Sequence, residues 1–254
     1  MNAWLLLVRA RGRERWRAPT DALVGVTADL AGAFVGLAMV LAVFTRVDTF
    51  AGLNQRAMIA CWGVGEVARG LAGLVSRPVS AVPSRYVLDG GLDRLLLRPT
   101  SVLGQVIAEG VNPVASLPAL WGAWAALAAC THVGPGEVAR LVIGGALGAL
   151  LMGGVALAVA SSGFWIPQRG GAVSVVWQAT SFAAWPPDAL AGPLRWLLVT
   201  ALPFTFAGYA PGCWLLGVPT PAWMAAWPVV SLACGAIGAL AWRAGLRRYG
   251  SAGS

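Results

Sequence analysis

Residues 22–45 run for 24 positions with one charged side chain, Asp29. Wound as a helix rising ~1.5 Å per residue, such a stretch covers the ~30 Å hydrocarbon thickness of a bilayer. Stretches 138–161 and 222–246 are similar, each with a single arginine, and 57–75, 114–130 and 172–185 are shorter relatives. Inside hydrocarbon, a spanning segment must satisfy its own backbone hydrogen bonds, and a helix does. The pattern predicts an all-α integral membrane protein: one transmembrane domain over 1–254, with six transmembrane helices over those stretches. A further apolar stretch, 194–216, is interrupted by Pro203, Pro211 and Gly212. Broken backbone is tolerated at membrane depth only where protein covers it, so this stretch is expected to be a re-entrant outer hairpin before the last span. The composition agrees: 11% of the residues are charged, against about 25% in soluble domains.

The scarce charges fix orientation. All 18 basic residues are Arg. With both termini cytoplasmic, thirteen fall on inner segments: Arg9, Arg11, Arg13, Arg15, Arg17, Arg77, Arg85, Arg94, Arg98, Arg169, Arg243, Arg247 and Arg248. Four (Arg46, Arg56, Arg140 and Arg195) fall outside, and Arg69 lies within the second span. Positively charged loops stay inside, so the split predicts cytoplasmic N and C termini. The net charge of +8 then reflects topology and contact with anionic membrane lipid, and no nucleic-acid partner is expected. Residues 1–20, with Trp4, Leu5, Leu6, Leu7 and Trp16 among alternating arginines, are expected to form an amphipathic interfacial helix.

Several chemistries are excluded. Without Lys the chain cannot hold a Walker A nucleotide site or form a lysine Schiff base. A single histidine, His132, cannot make a multi-histidine metal centre; the reading is no catalytic residue, no metal and no cofactor in this chain. The four cysteines (Cys61, Cys130, Cys213 and Cys234) form no CxxC and read as small core residues; a Cys130–Cys213 bridge is the one pairing the expected topology suggests. Gly32/Gly36 and Gly144/Gly148 are GxxxG pairs that would allow close helix approach.

Three ionisable residues fall within expected spans, where charge is costly and often functional. Glu66 and Arg69 are three apart on one helix face and can pair. With Asp29 they are candidates for a polar translocation path or a dimer seam; a self-satisfied pair is the other reading.

The long inner loop, 77–104, holds the most specific signal. Gly90-Gly91 marks a turn, Leu92, Leu95 and Leu96 recur at helical spacing, and Pro99 ends the helix. The expected product is a short amphipathic cytoplasmic helix whose leucines meet lipid headgroups or a partner protein. The run Gly91-Leu92-Asp93-Arg94-Leu95-Leu96-Leu97-Arg98-Pro99 resembles the G-x-L-D-x-L-L-x-R-P signature of an ABC-2 type permease family of ABC exporters. Phe164-Trp165, the stretch from Pro203-Phe204 to Tyr209-Ala210-Pro211, and Arg247-Arg248-Tyr249-Gly250-Ser251-Ala252-Gly253 resemble that family in the same order. One departure is the missing acidic residue between Gly91 and Leu92.

The resemblance implies a permease subunit of an ATP-driven exporter in the cytoplasmic (inner) cell membrane. It implies a second permease, identical or related, and two copies of a separate ATPase subunit that binds ATP and Mg. Gly91, Leu92, Asp93, Arg94, Leu95, Leu96, Arg98 and Pro99 would form the coupling helix, with Leu92, Leu95 and Leu96 as apolar anchors in an ATPase groove. Pro203, Phe204, Tyr209 and Pro211 would belong to an outer gate. An unidentified hydrophobic or amphipathic compound would be the substrate. The rival class is an ion-coupled secondary transporter or channel, which the intramembrane charges favour and the leucine-rich inner helix does not.

Overall fold

The computed structural model describes residues 19–110, 112, 116–166 and 171–250, with side chains from Val24 onward. The expected interfacial helix, 1–20, lies almost wholly outside the described residues, as do Arg169 and the Ser251-Ala252-Gly253 terminus. The described residues are helical, with no strand among them beyond an isolated bridge between Phe50 and Leu53.

Among the described residues ten α-helices follow in order: α1 Pro19–Phe44, α2 Gln55–Ser80, α3 Gly91–Leu96, α4 Val102–Gly110, α5 Leu117–Ala128, α6 Pro135–Ser161, α7 Ala172–Ala179, α8 Gly192–Trp196, α9 Tyr209–Leu216 and α10 Trp227–Arg248. Four of them belong to segments long and apolar enough to cross a membrane: Val24–Phe44, Gln55–Leu88, Pro135–Phe164 and Ala222–Arg248. The other two expected spans are shorter than their stretches suggested. α5 has 12 residues and α7 has 8, prolonged by a 3₁₀ run to Ala184. At ~1.5 Å per residue, α5 reaches only about 18 Å, short of the hydrocarbon layer on its own.

The expected inner loop also changes shape. α2 does not stop near residue 75; it runs through Pro78 to Ser80 and continues as a π-helix, Val82–Leu88. Each proline removes a backbone donor, and the wider π winding around Pro83 accommodates that loss. The loop therefore shrinks to the turn at Asp89–Gly90 and the residues around Pro99.

α2 is the centre. It packs against α5, α6 and α9, while α6 packs against α10 on its other side. Backbones come close because glycine faces glycine. A Cβ on Gly63 would strike the Gly122 carbonyl, one on Gly122 would strike Glu66, and one on Gly238 would strike Gly154. Gly144 and Gly148 are used as the sequence suggested: Gly144 sits against Pro211 and Val64, Gly148 against Ala207 and Ala68. Gly32, by contrast, has nothing near it, and Gly36 approaches only the Trp62 ring.

The stretch 194–216 is broken as expected. α8 passes into a π turn, Leu197–Ala201, then a short 3₁₀ turn, Phe204–Phe206, before α9. The break is buried: Phe204, Thr205 and Ala207 have no exposed surface, and Thr205 Oγ1 donates to the Leu198 carbonyl (3.3 Å). The 3₁₀ turn is thus enclosed by protein, whereas Leu197, Thr200 and Ala201 of the π turn are exposed.

Candidate functional site

Two places gather the residues singled out by the sequence. The first is the end of the molecule that carries α3. Gly90 adopts φ +68, a left-handed conformation glycine reaches without a Cβ clash. At Gly91 a Cβ would collide with the Arg85 carbonyl. The glycine pair therefore folds α3 tightly back onto the π-helical end of α2.

This packing corrects the expected roles of the leucines. Leu92 is fully buried and Leu95 nearly so, within a cluster that includes Val79, Val82, Val106 and Trp242. They anchor α3 to its own chain and are not free for an ATPase. Leu96 and Leu97 are the exposed pair, at 52% and 86% of their surface. Arg94, Arg98 and Pro99 are exposed beside them, and Asp93 is half-buried. A six-residue helix turns one face inward, and its last turn carries the side chains that look out.

Three residues that received no coupling role from the sequence hold α3 in place. Gln105 is buried on α4, and its Nε2 donates to the carbonyls of Leu95 (2.9 Å) and Thr100 (3.1 Å). The Leu95 carbonyl sits in the last turn of α3 and the Thr100 carbonyl just beyond it, so the amide clasps the C-terminal end of the helix. Tyr86 Oη, on the π-helix, donates to Glu109 Oε2 (2.8 Å), and the other Glu109 oxygen lies 3.8 Å from Arg98 Nη1. Glu109 thereby ties the end of α2 to the tip of the loop. The signal in sequence was a polar residue at i and i+4, Gln105 and Glu109, on an otherwise apolar α4.

Two more resemblance segments meet at this end. Phe164 packs edge-on against Trp242 (5.5 Å between centroids) and Tyr249 (6.3 Å), and all three join the cluster around Leu92. The Phe164-Trp165 and Arg-Arg-Tyr segments thus brace the same structure as α3.

The second place is a groove along α2, walled by α1 on one side and by Ala172–Ala184 on the other. Three hollows of about 330, 370 and 410 Å³ share lining residues and form a continuous row. Asp29 Oδ2 accepts from Arg77 Nη2 (2.7 Å), which joins α1 to α2. Glu66 and Arg69 pair with each other, as their spacing suggested. Asp29, Glu66 and Arg69 therefore share one groove, but Asp29 pairs with Arg77, which the sequence placed in the inner loop. Trp177 and Gln178 complete the facing wall. Glu66 is buried, and its Oε2 has no hydrogen-bond partner among the described residues.

The remaining candidates sit elsewhere. Pro203 and Phe204 are buried at the break before α9, and Tyr209 and Pro211 are buried in its first turn. Cys213 lies 3.8 Å from the Cys61 sulfur, both being free thiols, so the Cys130–Cys213 pairing is not the one the fold brings together. Among the described residues, no cluster of His, Cys, Asp or Glu could hold a metal ion.

Compared with known families, residues 30–253 match the ABC-2 family transporter proteins. The chain belongs to that family. It is a multi-pass membrane protein and the permease component of an ABC transporter. A search of curated proteins and one of solved structures return no match. The match takes in both places: it runs from the residue after Asp29 through the groove, α3 and Tyr249.

Proposed function

We propose that this permease is the transmembrane subunit of an ATP-driven exporter in the cytoplasmic membrane, moving a hydrophobic or amphipathic compound with energy from a separate ATPase. In this reading both termini are cytoplasmic and the chain crosses six times, α4 and α5 together making the third crossing and Ala172–Ala184 the fifth. The 13-to-4 division of the arginines supports that orientation. The stretch from α8 to α9 dips in from outside, and its buried break is the outer gate. ATP and Mg are held by the ATPase, since a chain without Lys has no Walker A site.

The observation that carries the reading is the division of labour on α3. Leu92 and Leu95 weld it to the core, while Leu96 and Leu97 stand in the open between Arg94 and Arg98. An apolar pair with a cationic rim suits a groove on a partner protein, with the arginines making charge-assisted hydrogen bonds around it. Because α3 is bonded through Glu109 and Gln105 to α2 and α4, a push on Leu96 and Leu97 reaches the helix that floors the groove. Two ATPase copies and a second permease complete the assembly.

The test is Leu96→Glu in the complex purified with its ATPase. Membrane insertion and thermal stability stay as in the wild type, while ATP-driven efflux falls to background. Unchanged efflux in this variant would overturn the proposal.

A further inference from the structure

The groove along α2 has a chemical polarity of its own. From Ser80 to Trp62 it follows 18 residues of helix, about 27 Å, close to the thickness of bilayer hydrocarbon. One end is polar, with the Asp29–Arg77 pair, Ser76 and Ser80. The other is apolar, with Met39, Trp62, Phe182 and Trp185. Glu66 and Arg69 lie where the two meet and line both adjoining hollows.

The charges in this groove cancel: Asp29 against Arg77, Glu66 against Arg69. A ligand with net charge would bring an uncompensated ion into a low-dielectric cleft, at high cost. A wholly apolar ligand would leave Glu66 Oε2 unsatisfied. Arg69 also keeps donors, since a guanidinium has five N–H groups and one carboxylate oxygen occupies few of them. What remains available is therefore one buried acceptor and several donors, side by side.

We propose that the groove binds a zwitterionic amphiphile, its head lying antiparallel to the Glu66–Arg69 pair and its chain against Trp62, Phe182 and Trp185. The ammonium donates to Glu66 Oε2, and the phosphate or carboxylate accepts from Arg69. Four alternating charges with no net charge are then buried together. This takes the groove as the transport path of the exporter proposed above, names its substrate class, and rests on that reading.

The experiment uses the full chain in nanodiscs and a photoactivatable lysophosphatidylethanolamine, with cross-links mapped by peptide. The expected site is the α2 segment around Glu66 and the wall from Trp177 to Trp185. Unlabelled lysophosphatidylethanolamine competes; anionic lysophosphatidylglycerol, cationic dodecylamine and uncharged monoacylglycerol compete about tenfold or more weakly, the scale of losing one charge-assisted hydrogen bond. Glu66→Gln removes that preference. Equal competition by any of the three probes in the wild type overturns the proposal without recourse to a variant, and so does an unchanged preference in Glu66→Gln. Transport is measured separately in the complex with its ATPase. Selective binding with no ATP-driven efflux of the bound lipid or of any other probe leaves the cleft standing and overturns the exporter reading. ATP-driven efflux of other compounds without selective binding does the reverse.

Discussion

α1 and α2 look interchangeable by length, at 26 residues each, yet the fold treats them oppositely. The most apolar window of α1 has a mean hydropathy of 2.0 and is 17% buried; that of α2 has 1.3 and is 72% buried. The less apolar helix is the one inside. In a soluble protein that order would be strange. In lipid the surroundings are as apolar as leucine, so hydropathy does not select the core; close packing and polar contact do. α2 carries glycines that admit neighbouring backbones and charges that need partners. α1 has open space at Gly25 and Gly32, and among the described residues the ion pair between the two helices is Asp29–Arg77. The groove lies where the loosely held helix meets the tightly held one.

The largest expected effect breaks this contrast directly. Gly63→Leu on α2 forces a side chain into the Gly122 backbone and should abolish monodisperse, folded protein, a loss of at least ~3 kcal/mol. Gly32→Leu on α1 meets nothing and should change stability by less than ~0.5 kcal/mol. Size-exclusion profiles and melting temperatures in detergent read both. Equal damage from the two would mean that α1 is packed as tightly as α2 in the assembled transporter.

Next come the two ion pairs. Arg69→Gln strands the buried Glu66 carboxylate, whereas Asp29→Asn loosens a pair whose members are 25% and 39% exposed. We expect about 3 kcal/mol of destabilisation from the first, because breaking a buried pair leaves an uncompensated charge. Adding Glu66→Gln to Arg69→Gln should recover most of it. The second should cost no more than ~1 kcal/mol and shrink further at high salt. Thermal unfolding at two ionic strengths separates the cases.

Much of this architecture was legible in the sequence, and the reasons for the misses are physical. Apolar length found the four long helices. Pro203 announced the break before α9, whereas Pro211 and Gly212, expected to interrupt the stretch as well, lie in the first turn of α9. Hydropathy could not show that residues 76–88 stay helical, because Arg77, Pro78 and Pro83 look like loop residues until they pack. Nor could it divide the leucines of α3. Leu92, Leu95 and Leu96 share one face by spacing, and only the position of Val79, Val82 and Val106 decides that two of them are covered. The Glu66–Arg69 pair follows from i, i+3 spacing. Asp29–Arg77 does not, since 48 residues separate the partners.

The smallest effect tests how firmly α3 is joined to the buried helix. Tyr86→Phe removes only the hydroxyl that donates to Glu109, a hydrogen bond to a charged group worth about 1.5–3 kcal/mol locally. Glu109 keeps Arg98 nearby, so the net loss in global stability should fall below that range, at about 1 kcal/mol. The informative readout is the ratio of ATP hydrolysed to substrate moved in the assembled complex. If α3 transmits force through the Tyr86–Glu109–Arg98 link, that ratio rises in Tyr86→Phe while ATPase binding is unchanged. If Leu92 and Leu95 alone carry the force through packing, the ratio stays constant and only the melting temperature moves. The outcome decides whether the end of α2 that carries α3 is coupled by its polar contacts or by its apolar ones, the same question that separates α2 from α1.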